Sequence, residues 1–388
     1  MKRLFSPAGI SLALTLMALA QVGAGPINGD AAVYQHQAVE GILDERTIHV
    51  GYVTAAAAMA RIGPVGVLLD VLGCVCLGLL AFAASRLAER EGGDGRAAAL
   101  AVGAFLLAWA PFAEVDLPWG AALTIALIAP VWAAGALMTA AITVSPLALV
   151  SLPWAALTRR GWKAAALGLV LWIPVLVWCW EDWWSGPRGV LVSQSTDTVG
   201  RVLLQWIRAI LLPGLMAPGI LGLIAGGRRL AIHAAAAGVP LFLLVRHADV
   251  PGWLPLSVVM AVAVGLGAKR WTWGRAWLWV PLVLQVGAVW WQGDRRRGEI
   301  RGENARITAL AEDVGEDEVL VAPWSDGVRF GALRGDPEAG WLSFGAAREA
   351  LPEVVYVLPV GRDLGVEGYD WTRREDGVWV GRRVGEGL

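Results

Sequence analysis

Lysine is nearly missing from this chain: only 3 of its 32 basic residues are Lys. With its abundance of Ala, Gly and Trp, that bias points to a GC-rich bacterial coding sequence and says nothing of function. Cysteine is scarce as well. Cys74, Cys76 and Cys179 all fall in apolar runs. Cys74-Val-Cys76 lacks the C-x-x-C spacing and the neighbouring His or second pair that a metal or redox site needs. All three read as small apolar residues inside transmembrane helices. The tail beyond residue 292 has no cysteine, so it must fold without a disulfide.

Charge is the next shortage. Charged residues make up 17% of the chain, against about a quarter in a soluble domain. Catalytic signatures are missing too. Without G-x-x-x-x-G-K-[ST] there is no cradle for a nucleotide phosphate, which excludes an ATP-driven pump of that kind. Without H-E-x-x-H, a Cys/His cluster or G-x-S-x-G, zinc hydrolysis and acyl-serine chemistry are excluded in the same way. The basic residues are scattered over short connectors, so nucleic acid is no partner.

What is present is apolar sequence. Hydrophobic residues are 56% of the 388, and mean hydropathy is +0.56. From Gly293 to Leu388 there are 13 Arg and 19 Asp plus Glu, so 32 of the 65 charged residues lie in the last quarter. Two regions follow: a membrane-embedded body over 1–292, with a first external loop at 25–63, and a soluble domain over 293–388.

Met1-Lys2-Arg3 and the apolar residues 4–24 form either a secretory leader or a retained first helix long enough to span. Retention is preferred, because Gly/Ala-rich segments pack closely in membranes. Further apolar segments run over 64–85, 97–113, 118–130, 131–142, 145–158, 164–180, 202–225, 230–246, 254–268 and 276–291. The basic connectors at 88–96, 158–163, 226–229 and 268–275 mark the cytoplasmic side. Parity between an external Pro118 and an internal Arg159 then calls for three short helices, with breaks near Pro130 and at Thr143–Pro146. The expectation is a mainly α, polytopic membrane protein of about 11 transmembrane helices. Its N-terminus is cytoplasmic, and a small α/β domain lies outside.

In the tail, 300–314 reads as an amphipathic helix, and DEVLVAP (317–323) and EVVYVLP (353–359) as short buried strands. SFGAAREAL (343–351) reads as a helix between them. Asp376-Gly377, between alternating flanks at 371–383, predicts a hairpin with a type I′ turn.

The first external loop holds the densest ionisable chemistry. GDAAVYQHQAVEGILDERTIHVGY (29–52) carries Asp30, Tyr34, His36, His49 and Tyr52, besides Glu40, Asp44 and Glu45. Helical spacing puts Asp30, Tyr34 and Gln37 on one side. Asp30 also fits a helix N-cap, His36 and His49 fit interfacial hydrogen bonding, and Glu40, Asp44, Glu45 and Arg46 fit a solvated face. Glu114 and Asp116 in FAEVDLPWG belong to the same membrane face by the crossing count, as do Arg188 and Arg208. Arg208 lies inside an apolar run, where a charge is costly and takes a partner. Asp70 is a second intramembrane charge.

This arrangement resembles the GT-C class of integral-membrane glycosyltransferases, in particular its bacterial protein O-mannosyltransferase-like members. The resemblance rests on an acid opening a long first external loop (GDAAVYQ) and the His49-x-Gly51-Tyr52 entry to the next helix. A further acid follows in FAEVDLPWG, and an external α/β tail closes the chain. It implies a sugar donor on polyprenyl phosphate, a hydroxyl acceptor and inversion by one displacement, with Asp30 as general base. Tyr34, His36, His49, Tyr52, Glu114, Asp116, Arg188 and Arg208 would contact substrate. No cofactor is implied, and a divalent metal is possible without being required. Many members carry an acidic pair where this loop has Asp30 alone, so a non-catalytic scaffold of cell-envelope assembly is a second reading. A lipid or solute transporter is a third, although the helices contain no internal repeat.

Overall fold

The computed structural model describes residues 6–26, 29–40, 49–111, 115–158, 161–178, 204, 218–245, 254–271, 275–337, 339–343, 354–358 and 368–384. Among them are thirteen α-helices and five strands. The chain divides into two compact units. The first comprises Met1–Val22, Leu43–Ala55 and Val67–Arg295, and the second Gly23–Ile42, Ala56–Gly66 and Arg296–Leu388. The second unit therefore takes in two pieces of the first loop together with the tail.

In the first unit, α1 (Pro7–Leu19) starts where Ser6 Oγ accepts from Gly9 N at 3.1 Å and Pro7 opens the first turn. Between α2 (Gly29–Glu40) and α4 (Val65–Arg90) lies α3 (Val50–Ala60). Asp94 caps α5 (Gly95–Leu106), accepting from Arg96 N at 2.9 Å. The breaks expected near Pro130 and at 143–146 separate α6 (Asp116–Ala126), α7 (Val131–Val144) and α8 (Leu147–Ala156). Next come α9 (Gly161–Trp178), α10 (Pro218–Val245), α11 (Leu254–Arg270) and α12 (Arg275–Asp313). The expected connector at 226–229 is a kink inside α10, where Gly227 has φ 52° and ψ −146°.

Small residues set this unit's packing. Thr139 Oγ1 lies 3.0 Å from the carbonyls of both Gly135 and Gly168, tying α7 to α9. α10 packs against α11 with Gly222 so close to Ala263 that a methyl there would run into the Ala263 carbonyl. Without a water-driven force between helices in lipid, such close backbone approach is the source of association. Gly222→Val is therefore expected to destabilise by about 1–3 kcal/mol. The thermal midpoint of the purified protein in detergent checks this, and an unchanged midpoint would remove the contact from the packing argument. Cys74 and Cys76 are buried in α4, and Asp70 is half-buried in the same helix. Cys179 lies outside the described residues.

The outer faces are apolar as well. Val170, Ile173 and Val177 follow one stripe of α9, with Val177 72% exposed, and Val280, Leu284 and Trp291 follow one stripe of α12. Exposed apolar stripes of this length mark a surface that meets lipid or another protein.

The helix lengths do not by themselves confirm the count of about 11 crossings. Among the described residues two helices are long and apolar enough to cross a membrane, Val65–Arg90 and Gly219–Pro240. α7 and α8 have 14 and 10 residues. At 1.5 Å rise per residue each falls well short of about 30 Å of hydrocarbon. Apolar composition registers a segment's greasiness and not the point where proline ends its helix.

In the second unit a mixed sheet runs in the order β2-β1-β3-β5-β4. β1 (Val319–Val321) pairs parallel with β2 (Trp341–Leu342) and β3 (Val354–Val357). β5 (Trp379–Arg383) runs antiparallel to both β3 and β4 (Tyr369–Arg373). Ile307 and Leu310 of α12, Val314 just beyond it and Phe330 of α13 (Trp324–Leu333) cover one face, against Leu320 and Leu358. Val321, Val355 and Val357 face the other way, against Trp371 and Trp379. The period-2 alternation buries both faces of the central strands.

The structure departs from the expected tail in two places. The amphipathic segment 300–314 is no separate helix: α12 runs unbroken through the charged run 294–301. Arg and Glu are good helix formers, and no proline interrupts them. The hairpin is present without the type I′ turn. Gly377 N donates to Arg374 O at 3.0 Å and Arg374 N to Val378 O at 2.8 Å, which closes a three-residue loop. Only its last position needs the left-handed region, and Gly377 supplies it with φ 84°. The helix expected at 343–351 falls almost wholly outside the described residues.

Candidate active site

Asp30, Tyr34 and His36 belong to α2 in the second unit. Asp30 is the second residue of that helix, inside its first turn rather than ahead of it. Ala31, Ala32 and Ala38 are buried, while Tyr34 and His36 are half-buried. Gln37 is 3% exposed, and among the described residues neither atom of its amide has a hydrogen-bond partner. An orphaned buried amide is costly.

His49, Tyr52 and Asp116 belong to the first unit. His49 Nδ1 lies 2.6 Å from Val144 O, the last residue of α7. A carbonyl can only accept, so Nδ1 carries a proton. Burial pulls the His49 pKa down to about 4, and the Val144 carbonyl opposes that only in part. Two residues on, a Cβ at Gly51 would sit 2.6 Å from Thr143 Oγ1. Tyr52 is 1% exposed. The His-x-Gly-Tyr sequence thus latches the start of α3 onto the C-terminal end of α7: His49 bonds a carbonyl and Gly51 permits the approach. Asp116 opens α6, half-buried. Glu114, Arg188 and Arg208 lie outside the described residues.

Asn304 and Arg329 were not legible as site residues. Arg329 on α13 is 5% exposed; its Nη2 lies 2.9 Å from Asp326 Oδ1 and its Nη1 3.0 Å from Asn304 Oδ1. Asn304 Nδ2 donates to the carbonyls of Ala24 at 2.9 Å and Pro26 at 3.2 Å. The i,i+3 pair Asp326/Arg329 was the only available signal, and it reads as an ordinary surface ion pair on a helix.

A cavity of about 310 Å³ in the first unit is lined by Glu89, Asp94, Arg96, Lys269, Trp271 and Trp279. None of the residues expected in the site lines it. Burial alone would raise the Asp94 carboxyl, but the Arg96 hydrogen bonds and charge outweigh it and hold the group below its usual value. Arg96 in turn stacks over Trp279 at 5.3 Å. Among the described residues no three His, Cys, Asp or Glu side chains converge as metal ligands.

No protein-family model matches the sequence, and no curated protein matches it. Among solved structures, the chain is similar to ArnT from Cupriavidus metallidurans in the apo state, with a TM-score of 0.61 and 14% identity. The match covers 96% of this chain and 96% of that one. At that identity the likeness is one of fold, and it does not reach an O-mannosyltransferase-like subgroup.

Proposed function

We propose that the chain is a membrane glycosyltransferase that moves a sugar from a polyprenyl-phosphate donor to a hydroxyl acceptor at the extracytoplasmic face. The observation that carries this is the end-to-end fold likeness to ArnT, over 96% of both chains. ArnT is a GT-C transferase with an undecaprenyl-phosphate-linked Ara4N donor. The exposed apolar stripes on α9 and α12 and the missing nucleotide cradle agree with a donor drawn from the bilayer.

In this reading Asp30 takes the proton from the acceptor hydroxyl. The hydroxyl oxygen bonds to the anomeric carbon as the bond from that carbon to the phosphate oxygen breaks, with inversion. Polyprenyl phosphate leaves carrying the bonding electrons. One positioned carboxylate suffices for a single displacement. The leaving phosphate is a good leaving group that gains from nearby cations, the role expected of Arg188 and Arg208. In this reading Tyr34 and His36, on the helix of Asp30, would contact substrate. The protein would sit in a bacterial inner membrane with its N-terminus cytoplasmic and its tail outside.

The test is transfer in proteoliposomes that contain envelope acceptors and a radiolabelled sugar on either polyprenyl phosphate or a nucleotide. Incorporation from the lipid-linked donor alone is expected. Incorporation from the nucleotide sugar alone, or from neither, would overturn the assignment.

A further inference from the structure

The segment that leads into α2 is held by the C-terminal part of the chain, wholly within the second unit. Arg301 Nε donates to Gly23 O at 3.1 Å. Asn304 Nδ2 donates to Ala24 O and Pro26 O at 2.9 and 3.2 Å. Gly25, with φ 84°, lets the chain pass so near that an added Cβ would be 2.7 Å from Asn304 Nδ2. Asp30 follows Pro26 by four residues. α13, which carries Arg329, also packs against α2.

The chemistry of the partners fixes the amide's direction. Arg329 can only donate, so it must face Oδ1, and the two carbonyls can only accept, so they must face Nδ2. Arg329 is in turn anchored by Asp326 at 2.9 Å, with Glu303 at 3.6 Å and its Nε 3.4 Å from Ser325 O. A buried guanidinium with a carboxylate on one arm and an amide on the other has little freedom to rotate.

We infer that Asn304 and Arg329 are positioning residues that hold the entry to α2, and with it the placement of Asp30. The tail would then be part of the catalytic machinery rather than an appended domain. The catalytic half of this inference rests on Asp30 being the general base; the tether itself does not.

Asn304→Asp separates the two sides of the amide. It keeps an acceptor for Arg329 and removes the donors to Ala24 and Pro26. Hydrogen exchange is measured on the full-length protein in nanodiscs, together with transfer from the polyprenyl-phosphate donor. Exchange over 29–40 is expected to rise about tenfold while β1 and β3 exchange as in the unaltered protein. kcat is expected to fall by on the order of ten- to a hundredfold with KM unchanged, as for a misplaced catalytic group. Arg329→Lys keeps the charge beside Asp326 but loses the fork, and should loosen 29–40 to a smaller degree. Unchanged protection over 29–40 in Asn304→Asp would overturn the inference, and so would loss of protection throughout the second unit. If Asp30→Asn retains transfer while Asn304→Asp loosens α2, the base assignment falls and the tether stands.

Discussion

Asp30→Asn is expected to lower sugar transfer by about 10²–10⁴-fold, the usual contribution of a general base. The change is nearly isosteric and removes only the capacity to accept the acceptor's proton. Its structural side effect is small by comparison. Asp30 lies in the first turn of α2, and losing a carboxylate there costs about 0.3–1 kcal/mol through the helix dipole. The thermal midpoint and expression should therefore stay near those of the unaltered protein while kcat collapses. The acid limb of the kcat/KM profile should also disappear, because that limb reports the ionisation of the free enzyme's essential base. A variant that transfers sugar at full rate in proteoliposomes would remove Asp30 from the mechanism. If deletion of 303–388 were then the only lesion to abolish cellular function, the scaffold reading would be the better one.

Acid is expected to destabilise the first unit through His49. The unfolded chain takes up a proton near pH 6.5, whereas the native ring, buried against the Val144 carbonyl, resists protonation until about pH 4. The depressed native value means the unfolded state binds more protons between those limits. Stability is therefore complete above about pH 6.5 and is lost as pH falls toward 4. At 1.36 kcal/mol per pH unit the whole interval is worth about 3 kcal/mol. His49→Gln keeps an N–H for the carbonyl and cannot titrate, so its thermal midpoint in detergent should depend less on pH between 7 and 4.5. Equal slopes in the two proteins would show that another group carries the acid sensitivity.

Much of the local architecture was legible because it follows from nearest neighbours. The breaks near Pro130 and at 143–146, the interruption at 226–229, the strands within 317–323 and 353–359 and the hairpin around Asp376-Gly377 all match elements of the structure. Each depends on proline, a glycine with positive φ, or a period-2 apolar run, whose effects reach only a few residues. The continuation of α12 through Asp294–Arg301 was misjudged because a charged run looks like the end of a span, although its residues favour helix. The number of crossings is not decided by composition, because apolarity is additive along the chain while span length depends on where helices stop; among the described residues two helices are long and apolar enough to span.

By itself the sequence determined a mainly helical, lipid-compatible body with an ionisable first loop and an acidic α/β tail. Composition and period are enough for that, since they set which surfaces must leave water. Tertiary structure alone decided which of the loop's residues have structural work. His49 and Gly51 meet Val144 and Thr143, about ninety residues away, and the segment before Asp30 is held by Asn304, some 280 residues on. Hydrogen bonds of that range leave no periodic trace in the sequence, because either partner taken alone is an ordinary polar residue.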